Sequence, residues 1–207
     1  MLFTSEQVSC GHPDKICDQI ADAVLTDCLR HDPESRVAIE CLIKDNVIVL
    51  AGELTSEHMP DTDALAHEVL RRIDVPEFES YESAAFITRQ SRDIARGVDR
   101  GGAGDQGMMV GYATDETPEL MPLPFMLATR ALLALQELRS PLLLPDAKAQ
   151  VTFDYDAGRI DTFLISTQHR AGAHPRQIEE TVRNAMEQAA AAYCLNTDFK
   201  ALVTPTG

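Results

Sequence analysis

The feature that most constrains the fold is an order of predicted elements that occurs twice along the 207-residue chain. In its first occurrence, residues 14–29 carry apolar side chains at every fourth position, which predicts a helix. Alternating residues at 37–43 and an apolar run at 47–51 predict two strands that are joined by a tight turn. A second helix is predicted at 61–73 and a weaker strand at 81–88.

The second occurrence follows about 110 residues later, with poor similarity at the level of single residues. A helix is predicted at 124–138, two strands at 150–156 and 159–167, and another helix from His174 and Pro175 onward. Because the order of helix, hairpin and helix is the same in both halves, we predict two copies of one sheet-plus-helices subdomain. The fold class is therefore α+β.

Charge and composition exclude some classes of function. The formal net charge is −15, which argues against a nucleic-acid-binding protein because such proteins need a cationic face. No run of about 18 apolar residues is present, so no membrane association is expected. The five cysteines are scattered and show no CxxC spacing, which is typical of a reduced, cytoplasmic protein.

The stretch from Thr4 to Lys15 concentrates chemically active side chains around Gly11 and Pro13. Glu6 and Asp14 flank His12, and two carboxylates suit Mg²⁺, which takes one or two carboxylates together with substrate phosphates. The stretch is equally compatible with an ordinary polar loop in which Asp14 caps the first helix and Glu6 is solvated.

Further candidate residues lie at strand ends and in loops. Glu40 interrupts an otherwise apolar strand, so it is either paired with a cation or part of an exposed polar face. Glu53 directly follows a buried strand. Residues 101–107 are rich in glycine but match neither a Walker loop nor a dinucleotide-binding fingerprint. The segment 145–148 pairs a carboxylate with an ammonium group and is compatible with a surface turn.

Several of these segments resemble S-adenosylmethionine synthetases (methionine adenosyltransferases). The resemblance is colinear over nearly the whole chain. The segments that carry it are Phe3–Leu25, Gly102-Ala103-Gly104-Asp105-Gln106-Gly107, Gly111–Thr117, Leu120-Met121-Pro122, Pro145-Asp146-Ala147-Lys148 and Ser166-Thr167-Gln168-His169. It implies two of the three subdomains that are related by a pseudo-threefold axis in that fold. The implied domains are 1–90 and 108–207, with a flexible lid loop at 91–107 and no C-terminal domain.

The resemblance implies that ATP and L-methionine are converted to S-adenosylmethionine, with release of phosphate and pyrophosphate. The methionine sulfur attacks C5′ of the ribose and displaces the triphosphate. The implied catalytic residues are His12 and Lys148. The implied ATP-binding residues are His12, Asp105, Asp146, Ala147 and Lys148.

The same resemblance implies the remaining binding residues. Those for methionine are Glu53, Gln90 and Asp105. The implied cofactors are Mg²⁺, held by Glu6 and Asp14, and K⁺, held by Glu40.

The chain also departs from the family pattern. Cys10 stands where an acidic residue is usual, Arg92 replaces a proline, and the lid is several residues shorter. The basic motifs that follow the central domain in the family, which supply most cations for the triphosphate, are absent from this sequence.

We therefore expect a subunit of a hetero-oligomer that is active only with a complementary chain carrying the C-terminal domain. The alternatives are an inactive regulatory or structural paralogue that binds a full-length synthetase, a piece of an ordinary longer synthetase, and a binding module for small anions.

Overall fold

The computed structural model describes residues 1–75, 78, 80–98, 101–104, 106–138 and 140–206. Helices and strands are mixed along the chain, as in an α+β fold, and they form two compact units. The first unit joins Met1–His12 to Tyr112–Gly207, and the second comprises Pro13–Gly111. The predicted domain bounds at residues 90 and 108 remain a prediction. Among the described residues, no helix combines the length and apolarity needed to cross a bilayer.

The second unit consists of a three-stranded sheet and its helices. In chain order its elements are α1 (Pro13–His31), β2 (Arg36–Lys44), β3 (Val47–Thr55), α2 (Thr62–Ile73), β4 (Glu82–Thr88) and α3 (Arg92–Val98). Strand β3 lies in the middle, antiparallel to β2 and parallel to β4. The parallel pair requires a crossover, which the segment containing α2 provides.

The core of this unit lies between the helices and one face of the sheet. Helix α1 buries the four residues that the period of four predicts, Ile16, Ile20, Val24 and Cys28. They belong to one cluster with the apolar side chains of β2 and β3 and the buried face of α2. The Asp61 side chain caps α2 by accepting a hydrogen bond from the Ala64 amide at 3.0 Å.

The first unit consists of a four-stranded sheet covered by two helices. Its elements are β1 (Leu2–Val8), α4 (Leu123–Leu138), β5 (Leu143–Asp154), β6 (Arg159–His169), α5 (Pro175–Ala192) and β7 (Lys200–Thr206). The strand order is β1-β5-β6-β7, and only the β6–β7 pair is parallel. Alternate residues of β5 and β6 are buried in one cluster with α4 and α5, among them Val151, Phe153, Phe163 and Ile165.

Both units share the order helix, antiparallel hairpin, helix and parallel strand, so the predicted repeat is present in the topology. The first unit differs by one additional strand, β1, which pairs with the free edge of its hairpin. The prediction of an α+β fold is confirmed.

Several local predictions were wrong. Residues 2–8 form strand β1 where a loop was expected, because their backbone pairs with β5. Helix α1 begins at Pro13, so Asp14 lies in its first turn and is not the N-cap. Strand β5 begins at Leu143 and not at 150 as predicted, so residues 145–148 lie in a strand and the alternative of a surface turn is excluded.

Another wrong prediction concerns the lid, which was expected to be a loop but contains α3. The Ser91 hydroxyl accepts a hydrogen bond from the Asp93 amide at 3.3 Å, and Asp93 occupies the first turn. These are ordinary signals for the start of a helix, although they precede a glycine-rich segment.

Candidate active site

In the first unit, the end of β1 and the beginning of β5 bring together two sequence motifs that are more than 130 residues apart. Ser9 joins them. Its amide donates to the Ala147 carbonyl at 2.9 Å. Its hydroxyl donates to the Pro145 carbonyl at 2.6 Å and accepts from the Ala147 amide at 2.7 Å. Three hydrogen bonds therefore fix the chain around His12 against the chain around Lys148.

The backbone of Gly11 lies directly against Pro145. A Cβ atom at position 11 would lie 2.5 Å from the Pro145 carbonyl carbon and 2.7 Å from its oxygen, which no side chain tolerates. Only glycine permits this approach. The following residue, His12, is 9% exposed, and its amide donates to the Ser9 carbonyl at 3.2 Å. A tight turn thus places His12 directly after the backbone that contacts Pro145.

Glu6 and Lys148 lie on the face of the sheet that is turned away from α4 and α5. Lys148 is opposite Val8, and Glu6 is opposite Gln150, so the two charged residues are diagonal neighbours about 7 Å apart. Both are exposed. Within the described part of the chain, Lys148 forms no ion pair with a carboxylate. Its ammonium group is therefore available to an anionic ligand.

The second unit carries a separate group of predicted site residues. Glu40 is opposite Ala51 and Glu53 is opposite Ala38, so the two carboxylates are diagonal neighbours on the sheet face that is turned away from the core. Glu40 is exposed, which excludes the buried alternative. Glu53 is partly buried, and it lies within β3, which extends to Thr55, and not after the strand as predicted. Two like charges about 7 Å apart repel each other, and a bound cation would relieve this repulsion.

Gln90 lies just beyond the carboxyl end of β4, at the same edge as Glu53, because Glu53 pairs with Thr88 in the parallel β3–β4 ladder. The Gln90 side-chain oxygen is buried and has no hydrogen-bond partner among the described residues. A buried acceptor without a donor costs about 1–3 kcal/mol. This oxygen is therefore suited to a ligand that carries an N–H or O–H group.

The pKa shifts near the site belong to two thiols. Cys41 follows Glu40 on β2 but faces the core, and it shares a hydrogen bond with Cys17 of α1. This bond lowers the pKa of Cys17 and raises the pKa of Cys41, with burial adding to the second shift. The thiols therefore link α1 to β2 inside the unit and do not extend the polar site.

The predicted site residues thus fall into two sets. Glu6, His12, Asp146, Ala147 and Lys148 belong to the first unit. Asp14, Glu40, Glu53 and Gln90 belong to the second. Asp105 lies outside the described residues. The sequence reasoning did not single out Ser9 and Gly11, although a serine and a glycine next to a candidate histidine are a recognisable signal for a backbone turn.

Comparison with known proteins identifies the family of this chain. Residues 1–92 match the family model for the N-terminal domain of S-adenosylmethionine synthetase, and residues 100–207 match the model for its central domain. The chain belongs to the S-adenosylmethionine synthetase family.

Two relatives from this family are the S-adenosylmethionine synthases of Prochlorococcus marinus strains MIT 9301 and MIT 9215. Each is 43% identical over 215 aligned positions, which cover 90% of this chain and 51% of the relative. The chain therefore spans about half the length of the curated synthetases that it matches.

Proposed function

We propose that this chain forms part of a cytoplasmic methionine adenosyltransferase that makes S-adenosylmethionine from ATP and L-methionine and releases phosphate and pyrophosphate. The observation that carries the proposal is the set of three hydrogen bonds from Ser9 to Pro145 and Ala147. In a chain of this family, these bonds hold the segment that contains His12 beside the 145–148 segment. Both segments are expected to bind ATP. The five free cysteines are consistent with a reducing compartment.

The reaction needs no nucleophile from the protein. The methionine sulfur forms a bond to C5′ of ATP, while the C5′–oxygen bond breaks and the electron pair leaves with the triphosphate. Catalysis therefore consists of aligning sulfur with C5′ and stabilising the departing negative charge. We assign the second task to His12 and Lys148, since the Lys148 ammonium is exposed and has no ion-pair partner among the described residues.

Ala147 and Asp146 complete the proposed ATP site. Both main-chain polar groups of Ala147 are already engaged with Ser9, so its amide has no hydrogen left to donate to ATP. We therefore assign Ala147 the task of holding the strand in place, and we assign direct contact with ATP to its neighbours Asp146 and Lys148. This division explains why a residue without a functional side chain lies in the motif.

Glu53 and Gln90 are proposed to bind methionine, together with Asp105. The ammonium group of methionine would pair with the Glu53 carboxylate. The Gln90 oxygen lacks a donor within the described chain, and an N–H of the substrate would supply one. Binding of methionine would then remove the cost of a buried, unpaired acceptor, which favours an amino acid over an apolar ligand.

The residues also fit the metal ions of the family. The exposed carboxylates of Glu6 and Asp14 are each proposed as ligands of Mg²⁺, since this ion needs few protein ligands when phosphates and water complete its shell. Glu40 would hold K⁺, and its nearness to Glu53 creates the negative field that favours a cation. These ions would supply positive charge to the polyphosphate.

We further propose that the enzyme is a hetero-oligomer with a complementary chain that carries the C-terminal synthetase domain. The chain spans 51% of the length of the relatives, and its net charge of −15 is unfavourable for binding ATP without cations from elsewhere. A partner that is rich in lysine and arginine would restore the balance of charge.

The test is an assay of S-adenosylmethionine by mass spectrometry, with ATP, methionine, Mg²⁺ and K⁺. We expect no product from this chain alone, and product when a protein from the same genome that carries the missing domain is co-expressed. Robust synthesis by the chain alone would refute the need for a partner. Co-purification with a full-length synthetase, without any gain in activity, would identify the chain as an inactive paralogue instead.

A further inference from the structure

A second group of potential ligands lies in the second unit, at the far end of α1 from Asp14. It consists of Asp27 and His31, in the last turns of α1, and His58, in the loop that follows β3. The rise of a helix places Asp27 about 20 Å from Asp14 along the axis, so this cluster is separate from the proposed substrate residues of that unit. Neither the proposed reaction nor the family match assigns it a role.

The three side chains already converge. Nε2 of His58 lies 2.7 Å from Oδ2 of Asp27, and Nδ1 of His31 lies 3.5 Å from Oδ1 of the same carboxylate. One ligand atom from each residue can be chosen so that all three lie within 4.8 Å of one another. No other group of three such residues meets this criterion within the described part of the chain.

The position of His58 is fixed by its surroundings. Its amide donates to the Ser56 hydroxyl at 3.0 Å, and the amide of Glu57 donates to Oδ2 of Asp32 at 2.9 Å. The Ser35 hydroxyl adds a bond to that of Ser56 at 2.7 Å. The loop is therefore attached to the end of α1 independently of the three ligands, which is the preorganisation that a binding site needs.

The cluster has the composition of a transition-metal site. Asp27 and His31 are four residues apart on one helix face, as are the two histidines of helical zinc motifs, and His58 supplies a third ligand from outside the helix. Nδ1 of His31 also lies 2.9 Å from the Asp27 carbonyl, a hydrogen bond that keeps the ring beside the Asp27 carboxylate until a metal replaces its proton.

We propose that Asp27, His31 and His58 bind a divalent first-row transition metal ion, of which Zn²⁺ has the best match of ligands. Two imidazoles and a carboxylate leave one position of a tetrahedral ion for water. Mg²⁺ is excluded by this ligand set because it prefers oxygen ligands and retains its own water. The bound ion cross-links the end of α1 to the loop between β3 and α2.

Binding requires two small rearrangements. Ligands of a tetrahedral Zn²⁺ are about 3.3 Å apart, so the 2.7 Å hydrogen bond between His58 and Asp27 opens by about 0.6 Å when the metal replaces its proton. The rings of His31 and His58 are stacked at 4.0 Å with a 22° angle, and a metal must lie near the plane of both rings. His31 is 55% exposed and can rotate out of the stack.

The test uses Co²⁺ as a spectroscopic substitute for Zn²⁺, added to the reduced 207-residue chain. We expect one equivalent to bind with visible bands of a four-coordinate ion and without the ultraviolet band of a cobalt–thiolate bond. This readout separates the proposed site from the cysteines. Histidine ¹⁵N spectra will show the largest paramagnetic shifts at His31 and His58.

Two variants of the cluster and one control variant test which histidines bind the metal ion. His58→Gln and His31→Gln are expected to weaken Co²⁺ binding at least tenfold, and Zn²⁺ will no longer raise their melting temperatures. His67→Gln, which changes an exposed histidine of α2, serves as the control and binds as the wild type does. His31→Gln alters a largely exposed side chain, so its folding is not at risk.

Equal binding by all three variants and the wild type would overturn the proposal. A thiolate band in the wild type, or no binding at submillimolar Co²⁺, would overturn it as well. In these cases the three side chains form hydrogen bonds but bind no metal ion.

Discussion

Replacement of Gly11 by alanine tests whether the close approach between the two proposed ATP-binding segments holds the first unit together. The added Cβ would lie 2.5 Å from the carbonyl carbon, 2.6 Å from Cβ and 2.7 Å from the carbonyl oxygen of Pro145. Gly11 is not among the residues with positive φ, so alanine introduces no backbone strain of its own. The effect of the substitution is therefore steric.

The size of the effect follows from the contact distances. Ordinary contacts of this kind are no shorter than 3.4 Å, so relief of the 2.5 Å contact requires the two segments to separate by about 0.9 Å. They cannot do so freely because Ser9 binds the Pro145 carbonyl at 2.6 Å and the Ala147 amide at 2.7 Å. Overpacking of this kind costs about 1–3 kcal/mol. A loss of about 2 kcal/mol lowers the melting temperature by about 4–8 °C in a chain of this size.

The assay is thermal unfolding of the wild type, Gly11→Ala and a control, Gly97→Ala. Gly97 lies in α3 with no atom within 4 Å of an added Cβ, so alanine there is expected to be neutral or slightly stabilising. A Gly11→Ala protein that melts within 1 °C of the control would refute the packing argument. Reconstituted activity should also fall, since the separation moves Lys148 relative to His12.

Three further predictions follow from single interactions. Ser9→Ala leaves the buried Ala147 amide without its partner and should cost about 2–3 kcal/mol in urea unfolding, whereas Ser83→Ala, which loses one exposed bond to Asp63, should cost less than about 0.5 kcal/mol. The amides of Glu57 and then Glu34 lower the pKa of Asp32 below its ordinary value of 3.8, so its contribution to stability is present above that pH and is lost as the pH falls through the lower, folded value. The urea midpoint of Asp32→Asn should therefore depend less on pH below pH 4 than that of the wild type, and equal slopes would contradict this. Lys148→Gln should lower kcat of the reconstituted enzyme about 10–100-fold with little change in melting temperature, because the exposed ammonium makes no ion pair within the described chain; unchanged kcat would exclude Lys148 from catalysis.

Much of the fold could be predicted from the local sequence. The helix predicted at 14–29 is α1, Pro13–His31, because an apolar residue at every fourth position can be buried only by a helix. The hairpin of β2 and β3 was predicted from the alternation at 37–43 and the apolar run at 47–51. Ile39, Ile48 and Leu50 are buried as expected, but Val47 and Ala51 are exposed, so only one face of β3 is buried where the apolar run suggested a more fully buried strand.

The candidate site was less accessible to sequence reasoning. The motifs around His12 and Lys148 stand out by their chemistry and by their resemblance to a family. Neither observation shows how the two segments are joined. The junction consists of the Ser9 hydroxyl bound to two backbone groups and of a glycine that permits backbone contact. Serine and glycine occur in turns of every kind, so their types alone do not identify a partner 136 residues away.

The sequence by itself determined the repeat of helix, hairpin and helix, and with it the α+β class, because amphipathic periodicity is encoded in each segment. Only the tertiary structure decided that residues 2–8 form a strand, and that this strand joins β5 and not the sheet of β2–β4. The residues of β1 are mostly polar and about half of Phe3 remains exposed, so the sequence of this segment shows no apolar pattern that would predict a buried face. Strand pairing is made by backbone groups that all residues share, and the register is chosen only when the partner edge has formed.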